Sequence, residues 1–263
     1  MRATRSILTL PAFLLLVPGL ASAAIQTREV ELKQGGTILK GFVAWDDAVT
    51  ERRPGILVVH EWWGHDEHTR AQARRLAEAG YVGFALDLYG GGKVAAHPAD
   101  AEAFMMEAVK DPGAIRARVD AAIAALKADS HVDPSRIAAI GYCFGGGVVL
   151  NMARQGHPDL DAVVSFHGVI TSDTPAAKGA VHARVLVLHG TDDPMVPLDQ
   201  VEAFRKEMDA AGATYAIVTY PGAKHAFTNP KADSHNMAAL SYSADADKRS
   251  WAAMLALFKE MWG

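Results

Sequence analysis

Gly141-Tyr142-Cys143-Phe144-Gly145-Gly146 sets the only cysteine of this 263-residue chain between glycines. The apolar run Ile137-Ala138-Ala139-Ile140 precedes it, and Val148-Val149-Leu150-Asn151-Met152-Ala153 follows. A buried strand, a tight turn and a helix in that order carry a nucleophile at a sharp bend. The pattern is Gly-x-nucleophile-x-Gly, with sulfur where a serine oxygen usually stands. Its glycines are needed because neighbouring backbone passes so close that a Cβ would clash. Such a bend lifts the sulfur above the carboxyl ends of the strands. It also aims the Phe144 N–H and the helix N-terminus at an oxyanion formed beside that sulfur. In other settings a lone cysteine is usually a small core hydrophobe, so a catalytic reading demands partners elsewhere in the chain.

A thiol with a pKa of about 8.5 is mostly protonated at neutral pH and needs a base to share its proton. Two later strand ends supply candidates. His189-Gly190-Thr191-Asp192-Asp193-Pro194-Met195-Val196-Pro197 follows one apolar run, and Tyr220-Pro221-Gly222-Ala223-Lys224-His225-Ala226-Phe227 follows the last. A carboxylate in the first would fix the imidazole of the second and stabilise its cation. Singly, a loop aspartate is most often a turn residue, and a lone histidine is most often structural. The order nucleophile, acid, histidine at successive strand ends is that of α/β-hydrolases.

The elements that must position these groups are legible as alternating runs. Thr27 to Leu32 and Ile38 to Ala44, separated by Gly35-Gly36, predict an N-terminal antiparallel hairpin. Gly55 to His60, Tyr81 to Leu86, Arg136 to Ile140, Ala162 to Phe166, Ala183 to Leu188 and Tyr215 to Tyr220 predict buried strands. Helical spacing falls at 66–79, 98–110, 113–128, 198–211 and 244–261. That alternation predicts an α/β fold, a doubly wound and mostly parallel sheet. Without repeats or a Pro/Ser-rich linker, residues 24–263 are expected to form one domain.

The chain opens Met1-Arg2-Ala3-Thr4-Arg5, continues in an apolar run to Leu20 and reaches Ala21-Ser22-Ala23. This predicts a signal peptide over residues 1–23, cleaved after Ala23, and a periplasmic or secreted product. Pro11 and Pro18 interrupt the run, which is short for a membrane span; an uncleaved anchor is the alternative. Loss of Arg2 and Arg5 takes the formal charge from −4 to −6. No basic block suggests nucleic acid, and a single cysteine excludes an intramolecular disulfide. His60-Glu61-Trp62-Trp63-Gly64-His65 looks like a zinc motif, but that motif needs its second histidine where Gly64 stands. No metal or cofactor is expected, and the chain is expected to act as a monomer.

The motifs together resemble the dienelactone hydrolase family, cysteine-dependent α/β-hydrolases, over essentially the whole mature length. They are His60-Glu61-Trp62-Trp63-Gly64, Asp87-Leu88-Tyr89, Gly141 to Gly146, His189 to Pro197 and Lys224-His225-Ala226-Phe227. The resemblance implies an ester or lactone hydrolase with a triad of Cys143, Asp193 and His225. Asp193 is implied rather than Asp192 because the family acid directly precedes the segment Pro194-Met195-Val196-Pro197. It implies that Glu61 contacts the resting thiol and moves aside when substrate binds. The N–H groups of Trp62 and Phe144 would form the oxyanion hole. Two family arginines that hold a substrate carboxylate are missing, since the loops read Tyr89-Gly90-Gly91-Gly92-Lys93 and Ala226-Phe227-Thr228-Asn229. Trp63, Tyr89 and Lys93 are the candidate substrate contacts, and dienelactone itself is not the expected substrate. Two further readings are a catalytically silent binding protein on the same fold and a thiol redox protein. The redox reading lacks a resolving cysteine.

Overall fold

The computed structural model describes residues 24–263; the expected signal peptide lies outside the described residues. Eight strands form one sheet in the order β1-β2-β4-β3-β5-β6-β7-β8. β1 (Ile25–Gln34) and β2 (Thr37–Asp46) are the expected hairpin, and β2 continues antiparallel onto β4 (Val82–Leu86). From β4 through β3 (Arg53–Val59), β5 (Val132–Tyr142), β6 (Ala162–Phe166), β7 (Arg184–Gly190) and β8 (Tyr215–Tyr220), every pairing is parallel. This is the α/β-hydrolase architecture.

Burial on both faces explains the continuous apolar strands. Leu57 and Val59 of β3 and Ala139 of β5 point into one hydrophobic cluster, while Ile56, Val58, Ala138 and Ile140 point into another. The first cluster is closed by α3 (Pro112–Ala128), α4 (Phe144–Arg154) and α5 (Leu198–Ala211). The second is closed by Leu76 of α1 (Glu67–Glu78) and by Trp251, Met254 and Phe258 of α6 (Ala244–Trp262). Period-two alternation thus feeds two cores from one strand. α2 (Pro98–Val109) lies over the first face and buries little beyond Ala101, Phe104 and Met105.

The chain leaves β3 toward β4 on one side and returns to β5 on the other. That reversal opens a crevice beyond the carboxyl ends of β3 and β5, where doubly wound sheets hold ligands. Glu61 and Trp62 follow β3, and Cys143 follows β5.

β5 begins at Val132, four residues before the expected start, because Val132 and Asp133 pair with Arg53 and Pro54 across a register shift at Pro54/Gly55. Asp133-Pro134-Ser135 reads as a turn and hides that pairing in the sequence. A 3-10 turn at Ala232–His235 was also absent from the pattern.

Gly83 of β4 lies directly under α1. A Cβ there would sit 2.4 Å from the Ala73 carbonyl oxygen and 2.7 Å from its Cα. Neither backbone atom can yield without lifting the helix. Gly83→Ala should therefore cost about 1–3 kcal/mol, the usual range for overpacking. Urea denaturation that gave an unchanged midpoint would contradict this close approach.

Candidate active site

The elbow is built by three glycines and one strained cysteine. Cys143 holds φ 51° and ψ −116°, a conformation that costs a side-chain-bearing residue roughly 1–3 kcal/mol. Its N–H donates to the Phe166 carbonyl at 3.1 Å, and its own carbonyl accepts from Gly147 and Val169. A Cβ on Gly141 would meet the Gly145 oxygen at 2.1 Å, and one on Gly145 would meet the Val59 oxygen at 2.4 Å. On Gly146 it would meet Gly168 Cα at 2.6 Å. The Gly145 N–H also donates to the His60 carbonyl at 3.1 Å. The turn is pinned to the strands on either side.

The structure brings Asp193, not Asp192, to His225. Asp193 Oδ2 accepts from His225 Nδ1 at 2.8 Å, both side chains being buried. Its Oδ1 accepts the N–H groups of Met195 and Val196, which lock the carboxylate. Asp192 is exposed and accepts only the neighbouring Thr191 hydroxyl. Since Nδ1 donates to the acid, Nε2 is left as the working nitrogen. Among the described residues that nitrogen is buried and hydrogen-bonds to nothing. Burial opposes a charge on His225, but the adjacent Cys143 sulfur and the Asp193 carboxylate outweigh it, raising the imidazole to about 10. The environment favours the imidazolium.

Trp62 and Phe144 are the two expected oxyanion donors. Phe144 is the first residue of α4, and Trp62 lies in the turn after β3. Neither N–H has a protein acceptor among the described residues. Two neighbouring motifs fix that turn. His60 Nδ1 lies 2.5 Å from the Glu61 carbonyl while its Nε2 accepts the Leu88 N–H, which makes it neutral with the proton on Nδ1. The Tyr89 hydroxyl donates to the Trp62 carbonyl at 3.0 Å. Asp87 accepts from the N–H groups of Lys40, Gly90 and Gly92 and so anchors the glycine loop.

Glu61 is buried, and its partner is Asn229, whose amide donates to Oε2 at 2.7 Å; Cys143 is not among its hydrogen-bond partners. It does not cap α1, because Asp66 performs that task. Its second oxygen lies 4.0 Å from His167 Nε2 and accepts no hydrogen bond. Burial, reinforced by Asp66, pushes this carboxyl up to about 7 against the opposing pull of Asn229 and His225. His167 is a participant the sequence did not disclose. It is fully buried at φ 39°, bonds Thr228 Oγ1 at 2.8 Å and packs edge-on against His225. Burial and the neighbouring His225 hold it well below the ordinary histidine range, hence neutral. Its only advance signal is its place immediately after β6, beside Gly168.

The expected substrate contacts divide. Trp63 is 2 % exposed, stacks on His235 at 3.8 Å and packs with Ala95, Ala226 and Leu240. It is a core residue and lines neither of the two cavities, unlike the expected substrate contact. Tyr89 and Lys93 both line a cavity of about 730 Å³, with Phe104 and Arg118. Arg118 reaches from α3 and donates to the Leu88 and Tyr89 carbonyls, so a guanidinium does stand by that loop. A second cavity of about 530 Å³ runs along α4 from Phe144.

The family model for the dienelactone hydrolase family matches residues 39–262. A dienelactone hydrolase-like promiscuous phosphotriesterase from metagenomic libraries superposes with a TM-score of 0.86 at 37% identity, covering 92% of this chain and 100% of that one. A Yersinia pestis protein named "putative carboxymethylenebutenolidase" is 30% identical over 92% of this chain and 91% of its own length. Protein usf of Aquifex pyrophilus is 28% identical over 88% of this chain and 97% of its own.

Glu61 makes a pH prediction with a definite sign. Its folded pKa is raised from the model-compound value of 4.5, so between pH 4.5 and about 7 the folded state keeps a proton that the unfolded state releases. Stability is lost across that window as pH rises. Glu61→Gln keeps an acceptor for Asn229 and removes the titration. The variant should gain on wild type by roughly 3 kcal/mol between pH 4.5 and pH 8, from 1.36 kcal/mol per pKa unit. Parallel stability curves for the two proteins would rule out a buried, proton-holding Glu61.

This chain belongs to the dienelactone hydrolase family, and it is a hydrolase of that kind.

Proposed function

We propose that the protein is an exported hydrolase of carboxylic esters or lactones that works through a Cys143-His225-Asp193 triad. The observation that carries this is the buried 2.8 Å Asp193–His225 pair, whose Nε2 is free of protein partners beside a cysteine held at positive φ. Cys143 attacks the carbonyl carbon as the thiolate. The resulting oxyanion is held by the N–H groups of Phe144 and Trp62. Collapse breaks the bond to the leaving oxygen, which takes the proton from His225 Nε2 and leaves a thioester on Cys143. Water, deprotonated by the same nitrogen, adds to the thioester, and the acid departs as the thiol is regenerated. Asp193 holds the imidazole orientation throughout.

The substrate reading follows from charge. Neither expected arginine is present: Lys93 stands in one loop, and Asn229 holds Glu61 in the other. Arg118 is engaged with two backbone carbonyls. A lysine is a flexible point charge and does not replace a guanidinium fork. Esters without a second carboxylate are therefore the favoured substrates. Residues 1–23 support periplasmic or secreted location. No described helix is long and apolar enough to cross a membrane. A redox role is disfavoured because Cys143 is the sole cysteine.

A panel of short-chain aryl esters and lactones, assayed beside Cys143→Ala, tests the assignment. Wild type should turn over members of the panel and the variant should not. A folded wild-type protein with no turnover would favour the silent binding protein instead.

Asp193→Asn should lower kcat by roughly 10²–10⁴-fold through a mis-set imidazole, whereas Asp192→Asn should change it little. Glu61→Gln should lower turnover by roughly 10²–10³ if its proton takes part in the reaction. Equal losses for the two aspartate variants, both folded, would refute the choice of acid.

A further inference from the structure

We propose that the cavity of about 530 Å³ beside α4 is the acyl site, and that the preferred esters carry an extended, uncharged acyl chain. This rests on the hydrolase reading above. The cavity begins one residue beyond the nucleophile, and Cys143 itself is not part of its wall. Phe144, the next residue, forms part of its wall, and so does Val169, whose N–H donates to the Cys143 carbonyl at 3.2 Å. Gly147 keeps this end tight, since a Cβ there would meet the Val169 oxygen at 2.8 Å. The volume lies within the range of about 300–1,000 Å³ usual for small-molecule sites.

The orientation follows from where the proton must go. His225 is carried between Ala223 and Phe227, which pack in the cluster closed by α6. Phe144, Val148 and Met152 belong to the cluster on the opposite face, closed by α3 and α4. A leaving group protonated by His225 Nε2 lies on the first side of the sulfur. With the carbonyl oxygen directed at the Phe144 and Trp62 N–H groups, the remaining substituent is the acyl chain. It runs away from His225, toward the α4 face.

The walls select what that chain can be. Met105 of α2, Ile115 of α3, Val148 and Met152 of α4, Phe144 and Val169 present apolar surface. Arg154 lies in the same wall, but its guanidinium is buried and paired with Glu207, the Ile170 carbonyl and Asn151. It has no charge to offer a substrate carboxylate. Asp173 stands on the exposed rim and would repel one. The 730 Å³ cavity differs, with Lys93, Glu107, Asp111 and Arg118 around it.

The test uses p-nitrophenyl esters from acetyl to octanoyl, together with a series of alkyl acetates, on the full chain. For wild type, kcat/KM should rise at least tenfold from acetyl to octanoyl, since each methylene that fits an apolar pocket carries discrimination. Val169→Trp and Val109→Trp narrow the cavity at positions that are 39% and 40% exposed, where a larger ring does not disturb a core. Both should lower the octanoyl-to-acetyl ratio of kcat/KM at least tenfold, with a penalty that grows with chain length. An unchanged ratio in both folded variants would overturn the acyl site. So would a changed preference among alkyl acetates with none among acyl chains, because that places the leaving group in the cavity. Turnover of no ester by wild type is a separate result: it removes the hydrolase reading, and the acyl site falls with it.

Discussion

The position of the elbow depends on a close approach between backbones. The turn at Gly145 lies against the carbonyls of Val59 and His60, where a Cβ would come within 2.4 and 2.5 Å. One N–H···O bond, from Gly145 to His60, joins the nucleophile's turn to the end of β3. Because of that contact, Trp62 and Phe144 are neighbours although they lie far apart in sequence. The N–H groups of these two residues are thus set by the packing of β3 against β5. A donor array fixed in this way costs little reorganisation when charge develops.

Strain is concentrated in the same region. Among the described residues four non-glycine positions have positive φ, and three of them are Cys143, His167 and Ala226. They follow β5, β6 and β8, respectively, at the carboxyl ends of the strands. Each bends the chain so that a side chain or its neighbour turns inward over the sheet. Such conformations persist only where the surrounding structure over-determines them. Here it does so through the Phe166 carbonyl for Cys143, the Leu188 carbonyl for His167, and the pairing of His225 with Leu240 for Ala226.

The sequence made the hairpin, the buried strands and the candidate residues at their ends readable because each signal was local. A glycine frame marks the elbow, an Asp-Pro segment marks the acid loop, and apolar runs mark buried strands. What it hid was tertiary. Trp63 sits in the same motif as Trp62 and packs edge-on against it, yet Trp63 is buried in the core while Trp62 is only partly buried. His167 is one of eleven histidines, and only the sheet order brings it against His225 and Glu61. Arg118 comes from a helix about thirty residues after the loop it supports, so inspection of the loop alone could not find that guanidinium. Asn229 reads as a loop polar residue until its amide is seen holding Glu61.

Buried ionisable groups must also be reconciled with one another. Asp193, Glu61 and His225 are all buried with no large free cation nearby, which would be costly if all three carried charge without partners. Asp193 meets this with two backbone N–H groups and the imidazole. Glu61 has only one amide, and burial therefore drives it toward the neutral acid. His167, flanked by His225 and also desolvated, stays uncharged and adds no further repulsion. The consequence is a division between two carboxyl groups: Asp193 has three donors, while Glu61 has one and is poised to gain or lose a proton near neutrality.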